Sequence, residues 1–363
     1  ILIPPYDNPV DSEKEYVKEG MLIRNARLKV DSIASRIIVP ALLAKDTMKL
    51  KPDVVHIFKP IGYSGLAGMY LRIFSRLPLV VDSDDWEGKG GWREVNPYPP
   101  LLKRFFDFQE NWLPTHARAV TVASRTLETR MWGLGIPQNK VFYIPNCPGW
   151  PLDGSENIAD KERLKIRREL GVGDAPLLIY FGHIPLGNDL DILIDALEIV
   201  GRRIPNVKCV VVGVGEGLAD LKKMAEESGQ GERFLFTGWV DHTLMPYYLA
   251  AADVAVYPYR DTLINRAKCS VKIVEYMAMG KAVITSKVGQ NLEYIENWRS
   301  GILTEPGSVE GFAEGIISVL SNRELREEIG KNAARRVREE FTWDKWVKVV
   351  EEAYREACGE GSR

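Results

Sequence analysis

Short runs of β-branched and aromatic residues alternate along the chain with stretches whose apolar residues recur at helical spacing, and this alternation restricts the fold more than any other feature. Successive βα units write such a pattern, because neighbouring parallel strands need a crossover helix between them. In the first half, strands are expected at residues 21–28, 53–58, 79–82, 119–123 and 141–144. In the second half they are expected at 176–181, 207–213, 234–237, 254–257, 282–285 and 302–303. Residues 146–160 are rich in Pro, Gly, Asn and Asp, which is the composition of a linker. A chain of 363 residues is also too long for one ordinary core, so two α/β domains are expected, 1–155 and 156–340. A charged helix at 323–340 and a second at 345–357 flank a break at Phe341-Thr342-Trp343-Asp344. Trp346, Val349, Val350 and Ala353 give that last helix one apolar face, which another element must cover.

Composition removes several classes of function. A formal charge of -2 argues against a nucleic-acid binder. The four cysteines are far apart with no C-x-x-C spacing, as expected of free thiols in a reducing, cytoplasmic setting. Four histidines without metal-ligand spacing give no metal centre. No apolar run approaches the roughly 18 residues that a membrane span requires. The chain opens Ile1-Leu2-Ile3 with neither a methionine nor a basic leader, so a natural N-terminus is expected to lie upstream. Arg24, Arg27, Lys29, Arg36, Lys45, Lys49 and Lys51 stand among apolar residues, a pattern suited either to docking on an anionic membrane or to a solvated helix face.

The strongest local constellation is the segment 270–285, where Ser270 is placed to cap a helix that Gly280 ends, with a buried strand directly after. Lys272 and Glu275 are three apart, hence on one face near the helix start, where unpaired N–H groups favour a phosphate. Lys272 would add a point charge, and Glu275 would accept hydrogen bonds from a ribose diol. A surface Lys–Glu pair is the competing reading. Gly213, Gly215 and Gly217 follow a strand, but their spacing fits a tight βα turn better than a dinucleotide fingerprint.

Segment 270–285 resembles the signature of GT-B glycosyltransferases of the family 4 type. VKCVVVGVGEG at 207–217, FLFTGWV at 234–240, YLAAADVAVYP at 248–258, VFYIPN at 141–146 and GILTEPG at 301–307 fall in that family's order. The resemblance implies two facing Rossmann-like domains with parallel sheets, the N-terminal one lacking its first strand here, and a C-terminal helix (341–363) that returns to it. It also implies retention of anomeric configuration, a UDP- or GDP-linked donor and no cofactor or obligatory metal. Three donor contacts of the family are replaced, by Ala267, His183 and Asn188. Lys272, with Arg266 or Lys268, is therefore the expected cationic site, with His183 contributing if protonated.

In the first half, Asp82-Ser83-Asp84-Asp85-Trp86 follows a strand directly, where ligands of open α/β sheets bind. The resemblance puts Asp84 and Asp85 where the family carries a His-Asp pair near the donor sugar. A sugar contact is ranked ahead of a solvated acidic turn and of a D-x-D metal site. Lys59, Gly62, Tyr63 and Ser64 lie in a turn before a helix, where either Gly62 and Ser64 expose helix N–H groups to an anion or Ser64 is the N-cap of a routine βα turn. The expected site thus has Lys272, Asp84 and Glu275 as catalytic residues. Gly182, His183, Gly238, Val240, Arg266 and Ser270 are expected on the donor, and Lys59, Gly62, Tyr63, Asp85 and Trp86 on a sugar or lipid-linked acceptor. A nucleotide-sugar epimerase and a catalytically silent sugar- or nucleotide-binding protein are the alternatives.

Overall fold

The computed structural model describes residues 2–3, 15–25, 33–150, 158 and 160–359. The strands are β1 (Leu2–Ile3), β2 (Glu15–Lys18), β3 (Met21–Asn25), β4 (Val55–Phe58), β5 (Leu79–Ser83), β6 (Ala119–Val122) and β7 (Val141–Tyr143). They continue as β8 (Leu177–Phe181), β9 (Lys208–Val212), β10 (Phe234–Gly238), β11 (Val254–Tyr257), β12 (Ala282–Ser286) and β13 (Ile302–Thr304). The chain forms two compact units, one of Ile1–Ile144 with Val347–Arg363 and one of Pro145–Trp346.

In the second unit, six parallel strands are ordered β10-β9-β8-β11-β12-β13. Counted from β8, this is the doubly wound order 3-2-1-4-5-6, which reverses direction beside β8. Every residue of β8 and of β12 is buried, because helices cover both faces of the sheet. On one face, Ile192, Leu193, Ala196 and Val200 of helix Asp191–Arg203 pack with Phe312, Ile316 and Val319 of helix Val309–Ser321. Each of the larger of these side chains contributes about 1.5–3 kcal/mol on burial.

In the first unit, β4-β5-β6-β7 form a parallel sheet. The segment expected as a strand at 21–28 does not join it. Its described part, β3, pairs antiparallel with β2 and parallel with β1 in a separate three-stranded sheet. Glu19 and Gly20 both have positive φ, 52° and 78°, and turn β2 directly onto β3 as a tight hairpin. Glutamate is unusual in that position, which is why the hairpin was not apparent in the residues; residues 26–28 lie outside those described. Most of the linker segment, 151–157 and 159, also lies outside them.

The helix Arg323–Glu340 occupies the expected range, and Asn322 caps it by accepting from Leu325 N. The chain breaks at Phe341, which is buried and packs edge-on against Tyr294 at 4.8 Å. The last helix, Trp343–Cys358, places Ala353 and Ala357 against Val80 and Ala119 of the first unit, small side chains that permit close approach. Ala353 thus belongs to the covered face as expected, whereas Val349 and Val350 are only half-buried. No helix among the described residues is long and apolar enough to cross a membrane.

Candidate active site

Strands β8, β9 and β10 end side by side, and each runs into a glycine: Gly182, Gly213 and Gly238. Gly182 N donates to Val212 O at 3.0 Å and Gly213 N to Gly238 O at 2.9 Å, so the chains stay paired beyond the strands. Gly213 has φ +146°, and a Cβ there would meet Gly182 O at 1.9 Å. Only glycine permits that approach. This supports the tight-turn reading of the glycine run at 213–217. Above these ends lies a cavity of about 290 Å³ lined by residues that include Gly182, His183, Trp239, Val240, His242 and Lys272. It sits at the carboxyl ends of the strands where their order reverses, the position at which such sheets bind ligands.

The helix Val271–Ala278 supplies the polar groups. Gly280, with φ +64°, ends it as expected, donating to Met277 O at 2.9 Å. Ser270 occupies the N-cap position, but its hydroxyl makes no capping hydrogen bond, so that helix start keeps N–H groups uncapped by its side chain. Lys272 lies half-buried in the first turn with Nζ 5.4 Å from the centre of the Phe181 ring. One turn on, Glu275 is 1% exposed, its Oε1 3.3 Å from His242 Nε2 and its Oε2 buried without a partner. Burial pushes the Glu275 carboxyl above the ordinary carboxylate range, opposed by Lys272, by His242 and by a hydrogen bond from the Gly149 backbone. An unpaired buried carboxylate oxygen is costly unless a ligand donates to it. His242 packs on Trp150 at 4.9 Å. Reading the residues alone missed His242 and Trp239, although both stand within four residues of Gly238.

Other expected donor contacts are engaged elsewhere. Arg266 is held by Asp261 through bonds of 2.5 and 2.7 Å and does not line the cavity. Its partner, five residues back in sequence, competes for the charge that a diphosphate would need. Lys268 lies over the Tyr259 ring at 5.4 Å. His183 lines the cavity, but its Nε2 is 3.2 Å from Glu216 on an exposed surface. Asn188 closes its own loop, donating to Pro185 O and accepting from Leu190 N. Ala267 is fully buried, a position with room for packing rather than for a charge.

In the first unit, Lys59 Nζ lies among three carboxylates, 3.6 Å from Asp84, 3.1 Å from Asp85 and 2.9 Å from Glu87. These carboxylates are the one group among the described residues spaced to hold a metal ion, and the Lys59 ammonium stands beside all three. Burial would lower the Lys59 pKa, but Asp85, Asp84 and Glu87 raise it above the ordinary lysine value. Burial pushes Asp84 up to about 6 and Asp82 up to about 7, the latter against a 2.5 Å bond from Thr121. Trp86 lies beside this cluster, with Nε1 bonded to Lys89 O.

The neighbouring turn differs from expectation. Helix Gly62–Phe74 starts two residues before Ser64, with Ile61 as N-cap, and Ser64 Oγ donates back to Lys59 O. Gly62 N is taken by Gln109 Oε1 at 3.2 Å, and Tyr63 packs against Val39, Leu43 and Ala67. Gly62 N is thus not the open anion contact that the turn suggested, and Ser64 is not the N-cap. The physical reason is that Gln109 of helix Pro100–His116 takes the Gly62 amide, while Ser64 spends its hydroxyl on carbonyls of the turn itself.

A doubly wound parallel sheet with a cavity at its switch point, an uncapped helix start and a lysine–glutamate pair defines a nucleotide-binding α/β enzyme. Residues 162–336 match the family described as glycosyl transferases group 1, and residues 26–147 the glycosyl transferase 4-like domain. The chain belongs to the GT-B glycosyltransferases of this group 1, family 4 type, enzymes that use nucleotide sugars. It is 24% identical over 280 residues to an alpha-D-kanosaminyltransferase of Streptomyces kanamyceticus, covering 75% of this chain and 69% of that one. It is 26% identical to a GDP-mannose-dependent alpha-(1-6)-phosphatidylinositol monomannoside mannosyltransferase of Mycobacterium tuberculosis, covering 70% and 64%. The fold is similar to that of Anabaena Alr3699/HepE in complex with UDP and glucose, with TM-score 0.72, 20% identity and coverage of 91% and 84%.

Proposed function

We propose that this enzyme moves a sugar from a UDP- or GDP-linked donor, held by the second unit, to a sugar or lipid-linked acceptor held by the first. Transfer retains anomeric configuration and needs no metal, and the protein works peripherally at a membrane. The carrying observation is Glu275 Oε2, buried and unpartnered one turn from Lys272 beside the switch-point cavity. A ribose diol donating to Glu275 sets the nucleotide in register, and the diphosphate then meets Lys272 and the N–H groups of the helix start. As the glycosidic bond breaks, charge grows on the leaving diphosphate, and these fixed donors stabilise it more than they stabilise the bound donor.

Asp84 and Asp85 accept hydrogen bonds from sugar hydroxyls, and Trp86 covers an apolar sugar face. Metal independence is supported by the Lys59 ammonium, which stands among the three carboxylates where a cation would sit and offsets one of their charges. Retention follows the family resemblance. The membrane reading is supported by helix Ile33–Leu50, which exposes Ile37, Ile38 and Leu42 beside Arg36, Lys45 and Lys49. Lys49 is paired with Asp46 and Arg24 with Glu15, while Arg27 and Lys29 lie outside the described residues. Incubation with a panel of UDP- and GDP-sugars and polyprenyl or glycan acceptors, with products read by mass spectrometry and anomers by NMR, tests the proposal. Nucleotide binding without any transferred sugar across the panel would favour a silent binding protein instead.

A further inference from the structure

The loop after β5 carries Asp84, Asp85 and Trp86, yet it includes Gly88, Gly90 and Gly91 and forms no helix until Trp92. A loop of that composition does not hold one conformation by its own propensities. It is held from helix Pro100–His116. Glu110 of that helix is fully buried and accepts from Glu87 N and from Gly88 N, each at 2.7 Å. Asp107 accepts from Lys89 N at 2.9 Å. Arg130, from helix Arg125–Gly133, donates to Glu110 Oε2 at 2.7 Å and to Asn111 Oδ1 at 3.0 Å. The same guanidinium lies 4.5 Å from the centre of the Trp86 ring and so covers one of its faces. A Cβ on Gly88 would stand 2.2 Å from Glu110 Oε2, so this anchor requires the glycine.

A buried ion pair adds little stability over an apolar pair of similar size. Its distinctive effect here is geometric, because one carboxylate fixes two loop amides and the cation that backs the Trp86 ring. We propose that Glu110, acting with Arg130, is a positioning residue for sugar transfer, holding Trp86 and the Asp84–Asp85 turn in the geometry that receives the acceptor. The proposal rests on the reading that this loop serves the acceptor.

The test uses the full chain with Glu110→Gln and with the double change Glu110→Leu/Arg130→Met, which removes both charges together. In each, acceptor kcat/KM should fall about 10–100-fold, the scale of a small misplacement of reacting groups, while nucleotide affinity stays within about twofold. Amide exchange across 84–91 should accelerate in both. The double variant leaves the Glu87 and Gly88 amides without their carboxylate acceptor, so its unfolding midpoint should fall, but with no unpaired charge left buried it should stay folded while its acceptor kcat/KM stays low. Recovery of kcat/KM in the folded double variant, or unchanged kcat/KM in folded Glu110→Gln, would overturn the proposal. Absence of transfer by the unaltered chain would count against the proposed function instead, and unchanged amide exchange in the variants would still refute the anchoring role.

Discussion

Replacing Lys272 by alanine tests where the diphosphate binds. Among the cations proposed for the donor, Arg266 is spoken for by Asp261 and His183 lies against Glu216, whereas Lys272 lines the cavity directly. At an effective dielectric constant of about 20, a unit charge about 4 Å away interacts with an ammonium by about 4 kcal/mol. Part of that is present in the bound donor, and the part that grows as the bond breaks is about 3 kcal/mol, or 10²–10³-fold in turnover. Stability should change less, since Nζ lies over the Phe181 ring, a contact worth about 0.5–2 kcal/mol. Steady-state kinetics at saturating donor, beside denaturant unfolding of the same variant, read both quantities. Near-normal turnover with folding intact would mean that the leaving group is stabilised somewhere other than at this helix start.

Glu275→Ala should weaken nucleotide binding about 10–100-fold by calorimetry, with a smaller change in turnover at saturating donor, because a ribose contact is equal in ground and transition states. A loss confined to turnover would count against the ribose role. Asp82 has a folded pKa of about 7 against an ordinary 3.8, so between these values the folded state binds the extra proton. Its contribution to stability therefore declines as pH rises from about 4 to about 7, and Asp82→Asn should remove that decline in a comparison of unfolding midpoints. Transfer should persist in excess chelator; its abolition and restoration by Mn²⁺ or Mg²⁺ would turn the acidic cluster into a metal site. Flotation with anionic vesicles at low salt should carry the protein upward, and failure to bind would end the membrane proposal.

Much of the fold was legible because it is written locally. The strands β8 to β13 are runs of aliphatic, β-branched and aromatic residues bounded by turn residues, and strands buried throughout, such as β8 and β12, required helices on both faces. The end of helix Val271–Ala278 was set by Gly280, whose positive φ needs no distant partner. The hairpin β2–β3 was not legible, since Glu19 carries no preference for the turn that it adopts. At the site, the Lys272–Glu275 spacing followed from helical periodicity alone.

What each of these side chains touches was decided otherwise. His242 reaches Glu275 from 33 residues away, and Lys59 reaches Asp85 from 26. Arg266 stands near Lys272 in the chain, yet its charge goes to Asp261. Glu110 has no sequence pattern that links it to Gly88, which lies 22 residues earlier. Propensity and periodicity act over a few residues, so they fix where strands, helix ends and glycine turns fall. Pairing of charges depends on the register of elements that meet only when the sheets form, and burial then sets how strongly each charge is felt.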